Sequence, residues 1–214
     1  MSKPRPAAGG GHWVEVPPER VARWLENFAG RHGAVTTVTR DAEVVTYTAG
    51  DGAVADFHVP FPPLTGDDLI AHVRLDRRVG VLLVRLGGYA AGVFEGERLV
   101  ASKVGTRQVH GRSAAGGWSQ QRFARRRDKQ AREALEAAAG AAARVLAPRV
   151  PCLDAVVLGG ERRAVDELRA DPRLGPVFAL ALDEPFLTVP DPRLAVLSET
   201  PASFRAVRVR IREP

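Results

Sequence analysis

The chain has a single cysteine, Cys152, among its 214 residues. It therefore has no internal disulfide and no cysteine-based zinc site. No run approaches the ~18 apolar residues that a membrane helix requires, and residues 1–6 lack the apolar stretch of a secretory signal. These absences predict a cytoplasmic protein that does not associate with a membrane.

The composition excludes a wholly disordered chain. Hydrophobic residues make up 45% and charged residues 26% of the sequence, which is ordinary for a globular protein. The 21 glycines and 16 prolines indicate many loops, but they fall below the content typical of low-complexity sequence. A hydrophobic core is therefore expected.

Nearly all of the positive charge lies in one segment. Residues 103–132 contain nine basic residues and one acidic residue, so the net charge of this segment is +8. The net charge of the whole chain is +6, so the remaining residues sum to −2. Such concentration favours contact with a polyanion. The alternative is a solvated, arginine-rich helix face. A membrane surface is disfavoured because the apolar residues of the segment's helix are mostly alanine.

Changes in pattern along the chain predict its organisation. Residues 1–11 are expected to be a flexible leader. Residues 12–75 are expected to form a small N-terminal α/β subdomain, which begins with a helix followed by three strands. The prolines at 60–63 predict a stiff break after the third strand. Residues 76–214 are expected to form the second domain, with a loop at 105–118 and a long basic helix at 119–147.

The second domain opens with three β-like runs and then alternates between helices and strands. Val79–Leu86 is apolar enough for a buried strand, and Phe204–Ile211 alternates apolar with basic residues. A strand is also predicted at Pro185–Val189. Three antiparallel strands followed by α/β alternation predict a mixed sheet with helices packed on it, in the α/β class.

Most catalytic signatures are missing from the sequence. It has no P-loop, no G-x-G-x-x-G after a strand, no G-x-S-x-G elbow and no H-E-x-x-H motif. The five histidines show no pair at metal-ligand spacing. Neither a metal nor another cofactor is therefore expected.

The chemistry is instead expected where the glycine-rich loop meets the basic helix. Gly116 and Gly117 allow backbone conformations that other residues resist. Gln120 and Gln121 are amides that can orient a water molecule, and N–H groups at a helix start favour an oxyanion. Basic side chains suited to phosphates follow directly: Arg122, Arg125, Arg126, Arg127 and Lys129. The alternative is a plain glycine-rich connection into a helix.

The segment Gly105–Lys129, which contains Gly116-Gly117-Trp118-Ser119-Gln120-Gln121, resembles the bacterial branch of the Vms-like release factors (VLRF), a family of peptidyl-tRNA hydrolases. The order of three strands, loop and long helix around it is similar to that family's layout over residues 79–212. The segment is distantly similar to the Gly-Gly-Gln domain of eukaryotic and archaeal class I release factors. The resemblance implies an RNase H-like, release-factor catalytic-domain-like core. Its loop would enter the peptidyl-transferase centre of a stalled large ribosomal subunit and cleave the ester between nascent chain and tRNA.

The resemblance also assigns roles to residues. Eukaryotic members carry Gly-Gly-Ser-Gln, so aligning Ser-Gln puts the essential role on Gln120, after Gly116, Gly117 and Ser119. This sequence inserts Trp118 and adds Gln121, which leaves Gln121 as the alternative glutamine. Contacts with rRNA or tRNA are implied for Arg107, Arg112, Trp118, Arg122, Arg125, Arg126, Arg127 and Lys129.

Two other functions are compatible with parts of the pattern. A non-catalytic RNA- or ribosome-binding protein would explain the arginines but not the glycines and glutamines. A nuclease with the same fold would need clustered carboxylates for metal ions, and the three strands between Val79 and Val104 carry only Glu95, near a strand end.

Overall fold

In a computed structural model of the chain, residues 5–85, 87–106 and 119–214 are described, residues 119–128 by their backbone alone. The strands in these ranges are β1 (Arg5–Pro6), β2 (His12–Val16), β3 (Val35–Arg40), β4 (Val44–Ala49), β5 (Val54–His58), β6 (Arg78–Arg85), β7 (Gly88–Glu95), β8 (Arg98–Thr106), β9 (Ala155–Gly160) and β10 (Val207–Arg212). The α-helices are α1 (Val21–His32), α2 (Leu69–Arg74), α3 (Ser119–Val145), α4 (Arg162–Leu168), α5 (Gly175–Ala179), α6 (Leu194–Ser198) and α7 (Pro201–Phe204). Short 3-10 helices lie at Pro18–Arg20, Ala147–Cys152 and Pro172–Leu174.

The chain divides into two compact units, and the expected mixed α/β class is confirmed. The first unit combines Met1–Leu75 with Pro201–Pro214, and the second is Asp76–Thr200. None of the described helices combines the length and apolar character that a membrane crossing needs.

The first unit contains an antiparallel sheet in the order β1-β2-β10-β5-β4-β3. The apolar residues of α1 recur at helical spacing and are buried. Trp24 stacks on Phe28 with ring centroids 5.5 Å apart and meets the edge of Phe57 at 5.3 Å. These aromatic contacts fix α1 to the sheet.

The last strand lies in the first unit, whereas the sequence analysis assigned residues 76–214 to the second domain. β10 pairs with β2 on one side and β5 on the other, and Val207, Val209 and Ile211 are buried in the first unit's core. Alternating residues predict a strand with one buried face, but the identity of its neighbours depends on the tertiary fold.

The segment that the sequence analysis treated as a flexible leader contains a hairpin. Arg5 and Pro6 pair with Trp13 and His12. The guanidinium of Arg210 donates hydrogen bonds to the carbonyls of Gly9, at 2.9 Å, and Gly10, at 3.0 Å. These bonds hold the turn between β1 and β2 against β10, and the two carbonyls accept hydrogen bonds from the Arg210 side chain.

The second unit contains a four-stranded sheet in the order β8-β7-β6-β9. The β6–β9 pair is parallel and the other two are antiparallel. β6 is buried from Val79 to Val84, as its continuous apolar sequence predicts. The strand predicted at Pro185–Val189 is absent; within it Leu187 makes an isolated bridge to Gly159.

We expect Gly11→Ala to destabilise the first unit more than Gly10→Ala. Both glycines have positive φ, +78° and +94°, a conformation that costs other residues about 1–2 kcal/mol. A Cβ at Gly11 would also overlap the Ile211 carbonyl, whereas one at Gly10 meets nothing within 4 Å. Urea unfolding followed by far-UV circular dichroism and tryptophan fluorescence measures the difference, and equal losses for the two variants would contradict the observed packing of the turn.

Candidate functional site

The basic helix α3 is long, and the buried side chains among those described in it lie toward its C-terminal end. It has 27 residues, or about 40 Å at 1.5 Å per residue. Side chains are described for residues 129–145; the first buried one is Ala138, and residues 129–137 are exposed or partly exposed. The start of the helix is 19 residues before Ala138, a distance of about 28 Å along the axis.

Small residues make the buried contact of α3 close. Ala138, Ala139 and Ala142 pack with Leu82 and Ala91 in the core of the second unit. Val145 is buried as well, and Leu135 is partly buried. Ala141 is also buried, because alanine lets a helix approach a sheet over a wider face.

An ion-pair cluster fixes the middle of α3. Arg173 lies 2.9 Å from the Glu136 carboxylate and also binds Asp171, whose side chain accepts the Arg173 backbone N–H. The hydrogen bonds to Asp171 and Glu136 raise the pKa of Arg173, and Arg173 in turn lowers the pKa of Asp171. This cluster is absent from the sequence analysis because Glu136 and Arg173 are far apart in the chain.

The strand that leads to the glycine-rich loop is held by a contact that only glycine permits. Gly105 pairs with Tyr89 across β7 and β8, and a Cβ on Gly105 would overlap the Tyr89 ring. Tyr89 is partly buried against the core that α3 completes. The Tyr89 ring therefore lies over the end of β8 on the face of the sheet that α3 covers.

Residues from several elements meet at the same edge of this sheet. Arg85, at the end of β6, donates a 2.9 Å hydrogen bond to the Val189 carbonyl. It lies 3.4 Å from Glu161 and 3.7 Å from Asp191. These contacts hold the chain that follows β9 against the strand ends where the loop begins.

The structure places the predicted site residues in two groups. Gly116, Gly117, Trp118, Arg107 and Arg112 lie outside the described residues. The backbones of the others belong to α3, with Ser119, Gln120 and Gln121 as its first three residues, followed by Arg122, Arg125, Arg126, Arg127 and Lys129. Lys129 is exposed, and its Nζ lies 4.0 Å from Glu133.

The backbone at Gln120 and Gln121 has a defined electrostatic character. The first four N–H groups of an α-helix have no partner within the helix, and aligned peptide dipoles make that end partially positive. The helix therefore presents N–H donors in the same turn of the chain in which the sequence has two glutamines. This arrangement suits an oxyanion or a phosphate.

No group of three or more His, Cys, Asp or Glu side chains within the described residues could hold a metal ion. His72 is buried, with its Nδ1 accepting from the Thr65 backbone N–H at 2.9 Å and its Nε2 lying 2.8 Å from the Pro60 carbonyl. His32 contacts Asp51 at 2.9 Å. These bonds give both histidines roles within the first unit.

The fold and sequence define a class: a mixed α/β protein in which a glycine-rich segment leads into a long basic helix whose C-terminal part packs on the core. The sequence model of the Actinobacteria/chloroflexi VLRF1 release factors (acVLRF1) matches residues 77–210. This match spans more than half of the chain, so the chain belongs to that family. The resemblance seen in the sequence is confirmed.

Comparisons with curated proteins and with solved structures gave different results. No match was found among curated proteins, whereas 13 chains of solved structures match. One is the archaeal translation termination factor aRF1, with 13% identity and a TM-score of 0.43 over 90% of this chain. The match spans 66% of that protein's length.

Exchanging Gly105 for alanine tests the contact at the base of the loop. We expect Gly105→Ala to lower the free energy of unfolding by about 1–3 kcal/mol, as overpacking does, because the new Cβ overlaps the Tyr89 ring. Tyr89→Ala removes that ring, so Gly105→Ala should cost much less in the Tyr89→Ala background. A double-mutant cycle by chemical denaturation measures this coupling. Additive losses would contradict the assigned contact.

Proposed function

We propose that this protein is a peptidyl-tRNA hydrolase that releases nascent chains from stalled large ribosomal subunits. Membership in a release factor family supports the general role. The observation that carries the specific proposal is the geometry of α3, whose backbone begins about 28 Å along the helix axis before Ala138, the first buried residue among its described side chains. A glutamine at the end of such a rod can reach a reaction centre that the compact part of the protein does not enter.

The proposed reaction is hydrolysis of the ester that joins the nascent chain to the tRNA 3′ end. A water molecule attacks the ester carbonyl, a tetrahedral intermediate forms, and its collapse expels the tRNA ribose oxygen, which takes up a proton. The products are a free carboxylic acid on the peptide and a free hydroxyl on the tRNA. No cofactor takes part in this scheme.

Gln120 is proposed to orient the attacking water. Its amide is neutral near pH 7 and cannot act as a general base, but it can both accept and donate hydrogen bonds. Positioning a water molecule and excluding others supplies much of the acceleration in such a reaction. Backbone N–H groups at the start of α3 are proposed to stabilise the oxyanion.

The loop and the basic side chains are proposed to bring this glutamine to its substrate. Gly116 and Gly117 would let the backbone approach the ester closely, with Ser119 at the helix start. Arg107, Arg112 and the basic residues of α3 would contact phosphates of rRNA or of the tRNA acceptor stem. Trp118 would stack on a base.

Replacing Gln120 tests the proposed chemistry. We expect Gln120→Ala to slow peptide release from large subunits carrying peptidyl-tRNA by about 100-fold or more, because the attacking water is then no longer held in position for attack. Gln121→Ala should have a smaller effect. Release of labelled peptide is measured at saturating protein, so that affinity does not limit the rate.

Gln130→Ala is the matched control because it removes a glutamine from the same helix ten residues further on. This variant should release peptide at the original rate. Undiminished release by Gln120→Ala with binding intact would exclude Gln120 from the mechanism. Binding of the unaltered protein without any release would instead favour the non-catalytic RNA-binding function.

Neutralising arginines of α3 tests the proposed role of its charge. We expect Arg125→Gln with Arg126→Gln to weaken binding to large subunits and to flatten the dependence of log K on log salt, by about 0.7–0.9 per lost phosphate contact. Arg163→Gln with Arg193→Gln removes the same charge from exposed positions elsewhere in the second unit. Equal effects of the two pairs would contradict a specific role for α3.

A further inference from the structure

The sheet of the first unit has one apolar face and one face rich in arginine. In β10, Val207, Val209 and Ile211 are buried, and the residues between them are exposed or partly exposed on the other face. Three arginines therefore follow one another along a strand that lies third in a sheet of six. We define the arginine face as Trp13, Asp56, His58, Arg208, Arg210 and Arg212.

Two aromatic rings lie among these arginines. Trp13 and His58 belong to the strands on either side of β10, and their ring centroids are 4.9 Å apart. The guanidinium of Arg208 lies 5.0 Å from the centroid of the Trp13 ring, in cation–π range. Burial, and then Arg208, lower the pKa of His58, which favours the uncharged form of its ring.

The charge of the face is positive despite its acidic residues. Arg212 lies 3.0 Å from Asp56, and Arg5, on the neighbouring β1, lies 2.6 Å from Glu15. Arg210 bonds to the Gly9 and Gly10 carbonyls through Nε and Nη2, and its Nη1 takes no part in these bonds. Four arginines thus stand near three carboxylates, since Asp41 also acts on His58. The Arg5–Glu15 pair is exposed, and such pairs are worth only ~0–1 kcal/mol, so a phosphate can displace it. Asp56 is largely buried and also accepts a hydrogen bond from Thr46, so a phosphate would share Arg212 with it.

The spacing of the arginines suits an extended polyanion. Alternate residues of a β-strand are about 6.7 Å apart, which places Arg208, Arg210 and Arg212 in a regular row, a spacing similar to that of successive phosphates in an extended nucleic-acid strand. Flat rings beside a row of cations match the two parts of a nucleotide, its base and its phosphate. An acidic peptide would use the arginines but leave Trp13 and His58 without a role.

We propose that the arginine face is a binding site for single-stranded RNA, with a base stacked on Trp13 and phosphates bound by Arg208, Arg210 and Arg212. The site lies in the first unit and does not depend on the loop, on α3 or on ester hydrolysis. Single-stranded RNA is the class that sheet surfaces with aromatic and arginine side chains recognise, because unpaired bases can be splayed out and stacked.

The test uses the full chain carrying Arg125→Gln and Arg126→Gln, so that RNA binding by α3 is reduced in every sample. A fluorescein-labelled oligouridylate of about ten nucleotides is the probe, within the range of site sizes for a single sheet platform, and anisotropy gives the affinity. Trp13→Ala should weaken binding about five-fold or more, and Trp13→Phe should restore most of the loss. Arg208→Gln with Arg212→Gln should weaken binding and lower the salt slope by about 0.7 per lost phosphate contact.

The matched control is Arg23→Gln with Arg31→Gln, which removes two exposed charges from α1 in the same unit. Affinity should change little in this variant. The proposal is overturned if the control pair weakens binding as much as the Arg208 and Arg212 pair does, or if Trp13→Phe behaves like Trp13→Ala. It is also overturned if oligoglutamate displaces the RNA as well as unlabelled oligouridylate does, since the face would then recognise acidic peptides.

Discussion

The architecture around the candidate site depends on the contact between the alanine-rich end of α3 and the sheet of the second unit. Ala138, Ala139 and Ala142 bring the helix close to Leu82 and Ala91, so one end of a 27-residue helix is fixed in a dense core. The preceding residues of the helix are mostly alanine, arginine, glutamate and glutamine, which sustain a helix with little packing. A fixed end and a self-supporting shaft together allow the start of the helix to lie far from the core.

The same unit controls where the loop begins. The absence of a side chain at Gly105 makes room for the Tyr89 ring, and Arg85 ties Glu161 and Asp191 to the strand ends. The strand ends from which the loop departs are thus held by packing and ion pairs within the second unit. The chemistry is proposed for residues beyond that base, where the sequence supplies glycines and glutamines rather than acids and histidines.

The two basic regions differ in construction. The charge on α3 is concentrated in sequence, so it is visible as a cluster in residues 103–132. The arginine face is assembled from β2, β5 and β10, whose segments are far apart in the chain. The match to the release factor family extends to residue 210. It therefore includes most of β10, the strand that carries three arginines of this face.

Periodicity and composition alone determined the buried strand at Val79–Val84, the helix from Ser119, and the concentration of charge beside Gln120; the resemblance added the roles of Gly116, Gly117 and the glutamines. Only the tertiary structure decided that β10 completes the first sheet, that residues 5–11 form a hairpin, and that Tyr89 lies over Gly105. The reason is physical. An alternating pattern specifies which face of a strand is buried, but every strand offers the same backbone donors and acceptors, so its partners are chosen by the packing of the whole chain.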